Sequence, residues 1–348
     1  MEKKVIVICG AELCVPFLTG ISKYMMETLK AIDNRLIDDD CNLDIRLVYP
    51  AEKELLEIDL KKIKKVPLNC NGKKFKSNVL RKYVIQENAI MCGMSNNISF
   101  NKNSITVIHD IRPLITNKYD GIKEIIIHNL LRLSVIITNS TIVTVSQNSR
   151  NEILKKYSIS PERVYVIPPG WEHIARMPVD ETVFNDFSII EKYNYYLSIG
   201  SVYKHKNYKW ILEIAKRYPD DIFVIVGNIK DKEEFKNIPS NVLVTGFLPD
   251  DKVVALIKYC KAFLQPSKYE GFGLSPLEAA VFNRPLILSN ASALPDVYGE
   301  FAVYFNPDDY CFDLNDALNN HKIESSGLLE KYGWEKSSHK WIELLKKS

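Results

Sequence analysis

Two carboxylates with seven residues between them, Glu270 and Glu278, flank a glycine turn in the stretch 262–280, A-F-L-Q-P-S-K-Y-E-G-F-G-L-S-P-L-E-A-A. An apolar run ends at Pro266 and Ser267, the turn carries Gly271 and Gly273, and a helix is expected to open at Ser275 with Pro276 and Glu278 behind it. A strand, a glycine turn and a helix N-terminus together gather unpaired backbone N–H groups, a setting that suits a phosphate. Carboxylates so spaced can reach two parts of one ligand whose phosphates lie on the amides between them. Ser275-Pro276-Leu277-Glu278 also fits a capping box, so Glu278 carries a structural reading beside the ligand reading. Glu270, a loop carboxylate beside glycines, caps nothing in the sequence.

Further candidates stand at the ends of Val/Ile-rich runs. The run 104–108 leads into His109-Asp110, where the carboxylate is placed to orient and charge the imidazole; otherwise such a histidine is an ordinary hydrogen-bonded structural residue. The run 195–200 ends in Gly200, and Lys204, His205 and Lys206 follow just before a helix starting at Asn207, so cations and N–H groups meet there. Near the start, Thr19-Gly20 opens an amphipathic helix over 21–33 with Ile21, Tyr24, Met25 and Leu29 on one face, and Gly20 permits close backbone approach. Ser146 begins another helix after a strand and suits an N-cap.

The elements that must position these residues alternate. Strand-like runs at 5–9, 43–49, 104–108, 141–146 and 163–168 are separated by helical stretches, and the alternation restarts at 195–200, 222–226 and 242–244. That pattern predicts an α/β fold with two doubly wound parallel sheets, in which ligands sit at the carboxyl ends of strands. A length of 348 residues calls for two domains. Pro168-Pro169-Gly170 stops regular structure, which gives domains over 1–170 and 171–330 and a terminal helix in 331–348 bearing Trp334, Trp341, Ile342, Leu344 and Leu345.

Composition narrows the function classes. A net charge of +3 is too small to imply nucleic acid, and no uninterrupted apolar run is long enough to span a membrane. The apolar segment after Met1-Glu-Lys-Lys is too short for a signal peptide and reads as a first buried strand. Seven scattered cysteines without a C-x-x-C pair indicate reduced thiols in a cytoplasmic protein. Residues 60–85 hold nine Lys or Arg and no Asp or Glu, either a solvated face or a dock for an anionic membrane surface. The single D-x-D match, Asp38-Asp39-Asp40, lies in a polar stretch and reads as a solvated turn, not a metal site.

The stretch E-G-F-G-L-S-P-L-E, preceded by P-S-K-Y, resembles the E-x7-E signature of the retaining glycosyltransferases of family 4. The resemblance implies two Rossmann-like domains facing across a cleft, the GT-B arrangement, with an acceptor-binding N-terminal and a sugar-nucleotide-binding C-terminal domain. By it, Glu270 contacts the donor sugar, Glu278 holds the ribose, and the amides of Phe272, Gly273 and Leu274 hold the diphosphate. H-D-I-R-P-L is similar to a family segment whose histidine lies near the reaction centre, which falls on His109, with Asp110 second. Lys206-Asn207 is similar to the family's R-K-N, making Lys206 the diphosphate cation, with His205, or Ser201 in the alignment to the other family variant, where the arginine stands; T-G-I-S-K-Y is similar to its glycine loop, which transfers Gly20, with Lys23 at the usual arginine position. Gly200 joins them as a donor-side strand end. The last helix is expected to cross back to the first domain.

The function so implied is transfer of a hexose, with GDP-mannose as the expected donor, from a nucleotide-diphosphate sugar to a glycan or polyprenyl-diphosphate-linked acceptor in cell-surface polysaccharide synthesis. It needs no metal, because the leaving phosphate assists deprotonation of the acceptor, and it places the protein on the cytosolic face of the membrane. A sugar-nucleotide epimerase, or a sugar-nucleotide-binding module without chemistry, are the alternatives. A nicotinamide dehydrogenase is disfavoured because no G-x-G-x-x-G follows a strand.

Overall fold

The computed structural model describes residues 3–16, 18–38, 41–70, 75–98, 100–116, 119–200, 203–227, 235, 237–319 and 324–348. Asp39 and Asp40 of the D-x-D match, residues 71–74 of the basic run, and Ser201 lie outside them. The chain divides into two compact units, one of 1–170 with 333–348 and one of 171–332.

The first unit holds seven strands: β1 (Lys4–Cys9), β2 (Leu43–Pro50), β3 (Lys64–Leu68), β4 (Ile90–Gly93), β5 (Ile105–Val107), β6 (Thr141–Thr144) and β7 (Val164–Val166). They pair in the order β3-β2-β1-β4-β5-β6-β7, and every pairing is parallel. The order reverses between β1 and β4, which makes that edge the switch point of the sheet. Strands covered on both faces read as apolar runs, and Ile6, Val7, Ile8, Val107, Ile142 and Val143 are all fully buried.

Two strands escape a reading based on apolar runs. β3 lies inside the basic stretch 60–85 and pairs only with β2 at the sheet edge, so its K-K-V-P-L needs neither an apolar face nor a full set of amide donors. β4 is only four residues long, I-M-C-G, too short for periodicity to show. The entry to β3 is fixed by Asp33, whose buried carboxylate accepts the amides of Lys61, Lys62 and Ile63 at 2.7, 2.8 and 2.6 Å.

The helix Gly20–Asp38 runs five residues past the expected end. Thr19 and Ser22 cap it reciprocally: the Thr19 amide donates to Ser22 Oγ at 2.6 Å and the Ser22 amide to Thr19 Oγ1 at 3.3 Å. It packs on the terminal helix Trp334–Lys347, with Tyr24 and Trp334 ring centroids 5.7 Å apart. Trp341, Ile342, Leu344 and Leu345 of that helix are buried, and each such side chain contributes about 1.5–3 kcal/mol.

The second unit carries β8 (Tyr195–Ile199), β9 (Ile222–Val226), β10 (Val242–Gly246), β11 (Ala262–Gln265), β12 (Leu286–Ser289) and β13 (Val303–Phe305) in the parallel order β10-β9-β8-β11-β12-β13. Its switch point is the β8/β11 edge. The helix Tyr208–Arg217 lays Trp210 on Phe305, centroids 3.9 Å apart, over a core that includes Tyr196, Phe223 and Leu264.

Candidate functional site

Both strands at the switch point of the second unit end in the residues that sequence singles out. β8 runs into Gly200, and a one-turn helix at Lys204–Lys206 follows. Asn207 then turns left-handed, with φ 55° and ψ 41°, before the helix Tyr208–Arg217. Its amide nitrogen Nδ2 donates to the carbonyls of Pro266 at 3.1 Å and Pro307 at 2.8 Å. The Lys268 amide donates to the His205 carbonyl at 2.7 Å, so the loop after β8 is stitched to the loop after β11. His205 is buried, with its ring stacked 5.5 Å from that of Tyr203.

This stitching brings Lys206 onto Glu270. Lys206 Nζ donates to Glu270 Oε1 at 2.7 Å, and the same oxygen accepts from Gln265 Nε2 at 2.6 Å and Ser267 Oγ at 2.7 Å. The two side chains are only 19% and 11% exposed. Burial opposes charge on Glu270, but the Lys206 ammonium and the hydrogen bonds from Lys206 and Ser267 outweigh it and hold the carboxyl below its ordinary range. An ionised carboxylate and a cation are thus fixed 64 residues apart in sequence, at the carboxyl ends of β8 and β11.

The turn that follows differs from expectation at its helix. The helix opens at Leu274, not Ser275, with Gly273 at the N-cap in a left-handed conformation (φ 83°, ψ 74°) and no side-chain cap. The capping-box reading of Ser275 and Glu278 is therefore replaced. Glu278 instead faces His173, Oε1 to Nε2 2.9 Å, with side chains 7% and 2% exposed. A Cβ on Gly273 would stand 2.8 Å from Leu294 Cδ2, and the Gly273 carbonyl accepts from the Tyr298 hydroxyl. Phe272 is buried with its ring edge-on to Tyr332, centroids 5.2 Å apart, while the amides of Gly273 and Leu274 stand at the helix opening, where no carbonyl of a preceding turn can pair them.

Gly200 is required by space as well as conformation. At φ 155° a Cβ there would meet the Tyr208 hydroxyl at 2.9 Å and Lys206 Cε at 3.6 Å. Gly227 at the end of β9 packs against it so closely that a Cβ would stand 2.1 Å from the Gly200 carbonyl oxygen.

In the first unit, His109 and Asp110 follow β5, but the carboxylate does not orient the ring. His109 Nε2 lies 3.4 Å from the Met94 carbonyl and its ring edge packs on Tyr24 at 4.9 Å, whereas Asp110 Oδ1 accepts the Arg112 amide at 2.9 Å. Burial lowers the His109 pKa and Asp110 only partly offsets it, so the imidazole is neutral and not charged by its neighbour. At Gly20 a Cβ would meet no protein atom within 4 Å, and Ser146 Oγ accepts the Ser149 amide at 3.1 Å as a helix cap.

Several contacts escaped the sequence reading. Gln265, Ser267 and His173 complete the surroundings of Glu270 and Glu278, and His173 lies 105 positions from its partner, a distance no local pattern spans. At the β1/β4 switch point of the first unit, Glu12 Oε1 accepts from Lys76 Nζ and from Ser95 Oγ at 3.0 Å, and Lys76 also donates to Asn97 Oδ1 at 2.5 Å. Burial opposes the charge of Glu12, and Lys76 with these hydrogen bonds holds its pKa below the ordinary range. Lys76 is thus paired with Glu12 while still 42% exposed, and Lys64, 64% exposed, pairs with Asp44 at 2.8 Å, so two cations of the basic stretch 60–85 are partnered by carboxylates. Among the described residues no group of three or more His, Cys, Asp or Glu is placed to hold a metal ion, and none of the cysteines is in a disulfide.

Comparison with known proteins places these features. Residues 179–325 match the family described as glycosyl transferases group 1. The serotype-specific mannosyltransferase WbdA of Escherichia coli is 27% identical over 272 residues, covering 69% of this chain and 33% of that protein. The O-antigen chain mannosyltransferase RfbU of Salmonella typhimurium is 29% identical over 231 residues, 63% of this chain and 61% of its own length. The chain therefore spans between about a third and three fifths of these relatives. Among solved structures, sucrose-phosphate synthase from Thermosynechococcus elongatus superposes with a TM-score of 0.72 at 11% identity over 99% of both chains. WaaG, a glycosyltransferase involved in lipopolysaccharide biosynthesis, does so at 0.62 and 16% over 97% of this chain and 95% of its own. The fold is that of the GT-B glycosyltransferases, and residues 179–325 are similar to the glycosyl transferases group 1.

Proposed function

We propose that the chain transfers a hexose from a nucleotide-diphosphate sugar to an acceptor hydroxyl with retention at the anomeric carbon. The observation that carries this reading is the Lys206–Glu270 pair, 2.7 Å apart, at the switch point of the second sheet within the turn that bears the E-x7-E spacing. Departure of the nucleoside diphosphate leaves negative charge on its phosphates, and a fixed ammonium beside them stabilises the transition state without reorganisation. Glu270 holds Lys206 in place and, being ionised, offers an acceptor to donor-sugar hydroxyls. The amides of Phe272, Gly273 and Leu274 supply further donors to the diphosphate, and Glu278, fixed by His173, takes the ribose. Gly200, His205 and Gly20 border the donor. His109, kept neutral by burial, is a hydrogen-bond partner for the sugar and not a cation, and Asp110 acts through the backbone it caps. No metal has a step in this reaction.

GDP-mannose is the proposed donor and a lipid-linked glycan the proposed acceptor; the mannosyltransferase names of the relatives support that choice. A panel of sugar nucleotides tests it: the true donor raises the melting temperature in proportion to its concentration over Kd, and product analysis then reads the anomeric configuration. Glu270→Ala and Lys206→Ala each lower turnover roughly 10²-fold or more. Near-normal turnover in both variants, or an inverted product, removes the proposal, and release of an isomerised sugar nucleotide without acceptor makes the protein an epimerase.

A further inference from the structure

β11 is apolar from Ala262 to Leu264 and closes on a polar side chain, Gln265, that is only 3% exposed between β8 and β12. A primary amide carries two N–H donors and a carbonyl acceptor, and burial makes each of them costly to leave unpaired. Both donors of Gln265 are used: Nε2 lies 2.9 Å from Ser267 Oγ and 2.6 Å from Glu270 Oε1. Its carbonyl oxygen is buried without a partner among the described residues. The strand thus keeps a buried amide for what the nitrogen does.

The bond to Ser267 sets the direction of the next one. Because Ser267 Oγ accepts from Gln265, its own proton is left to point at Glu270 Oε1, 2.7 Å away. With Lys206 Nζ as the third donor, Oε1 receives more hydrogen bonds than its roughly two lone-pair sites offer, and it has no capacity left for a ligand. Oε2 takes no donor among the described residues. The backbone of the same residue is held as well, since Ser292 Oγ donates to the Glu270 carbonyl at 2.8 Å. What remains free to move is the carboxylate itself, by rotation about its terminal bond.

We infer that Gln265 is a positioning residue for the transfer reaction: with Ser267 it locks Glu270 so that Oε1 is spent on the protein and Oε2 is presented to the donor sugar. This role rests on the transferase reading and deepens it. The charged and titratable groups that act on Glu270 are Lys206 and His205 from the loop after β8, Tyr208 from the helix that follows, and Tyr298 from the helix Leu294–Tyr298. None of them donates to both Ser267 and Glu270 as the Gln265 amide does. Loss of that amide lets the carboxylate rotate towards Lys206 alone. The groups assigned to the nucleotide lie elsewhere in the turn, so turnover suffers more than donor affinity; a misplacement of about 1 Å at a reacting centre costs about 10²-fold.

Two variants of the full chain test it. Gln265→Leu removes both donors at similar volume, and the expected result is a kcat lowered roughly 10- to 100-fold with a donor KM within about threefold of wild type. Gln265→Glu keeps the shape but sets a second carboxyl against Glu270. The pair shares a proton that still donates to Glu270 Oε1, and it loses that proton at a pKa raised above the ordinary carboxylate range. Turnover relative to wild type is therefore near normal at about pH 5 and falls as the pH rises through that pKa, a profile that a purely structural role does not produce. Wild-type kcat in Gln265→Leu, donor affinity lost in step with turnover, or a Gln265→Glu profile parallel to wild type overturns the assignment. If the leucine variant does not fold, the isosteric glutamate variant carries the test alone. A carbon-13 titration of the Glu270 carboxyl, identified with Glu270→Gln, needs no substrate. Its midpoint rises in Gln265→Leu because a hydrogen bond to the ionised form is gone, and an unmoved midpoint overturns the assignment. A wild type that turns over no sugar nucleotide while the midpoint moves fails the transferase reading and leaves the hold on Glu270 standing.

Discussion

Glu270 shows how a single oxygen organises a site. Its Oε1 receives three donors from two places in the chain, and the alanine variant leaves Lys206, Gln265 and Ser267 without it. Glu270→Ala therefore destabilises the second unit by about 2–4 kcal/mol in urea denaturation, in addition to its effect on turnover. His109 makes a prediction in pH. Its folded pKa is lowered by burial, so below the ordinary histidine value of about 6.5 the unfolded chain binds a proton that the folded chain refuses. The stability that neutral His109 contributes is present above that value and is lost as pH falls towards the folded pKa, by at most about 1.4 kcal/mol per pH unit. His109→Gln flattens this acid limb in denaturation curves measured from about pH 7 to pH 5.

At the scale of elements, the glycines at strand ends and the anchor of β3 are the sensitive points. Gly273→Ala must place a Cβ 2.8 Å from Leu294 at a left-handed φ of 83°, which costs about 1–3 kcal/mol and shifts the helix opening at Leu274. Gly227→Ala meets backbone instead, 2.1 Å from the Gly200 carbonyl, and is expected to lower the melting temperature further because a carbonyl cannot swing aside. Asp33→Ala removes the acceptor of three amides at the entry to β3, and faster amide exchange at Lys61, Lys62 and Ile63 is the direct readout, with a loss of about 2–3 kcal/mol. Asp33→Asn keeps one acceptor oxygen and recovers part of that loss.

For the whole molecule, the chain leaves the first unit at Gly170, builds the second, and returns at Gly333 to finish the first with its terminal helix. Deleting residues after Tyr332 strips Trp334, Trp341, Ile342, Leu344 and Leu345 from the helix Gly20–Asp38 and exposes the apolar face they cover. The first unit then unfolds at lower temperature and binds a hydrophobic dye, while far-ultraviolet dichroism retains the contribution of the second sheet.

How much of this was legible in the sequence follows from the range of the forces involved. Apolar runs of buried parallel strands and the Gly-turn-helix at 270–280 are local, so the alternation of elements, the α/β class and the candidates Glu270, Lys206 and His109 could be named from residue order alone. β3 and β4 were missed because an edge strand needs no apolar face and four residues show no period. Charge states and partners were decided only by the tertiary structure. Glu278 meets His173 instead of capping its own helix, Asp110 holds a backbone amide instead of the imidazole, and Lys76 pairs with Glu12 because crossover connections bring distant strand ends to one edge. Sequence sets which groups are present; burial and three-dimensional proximity, which span any separation in the chain, set what each group does.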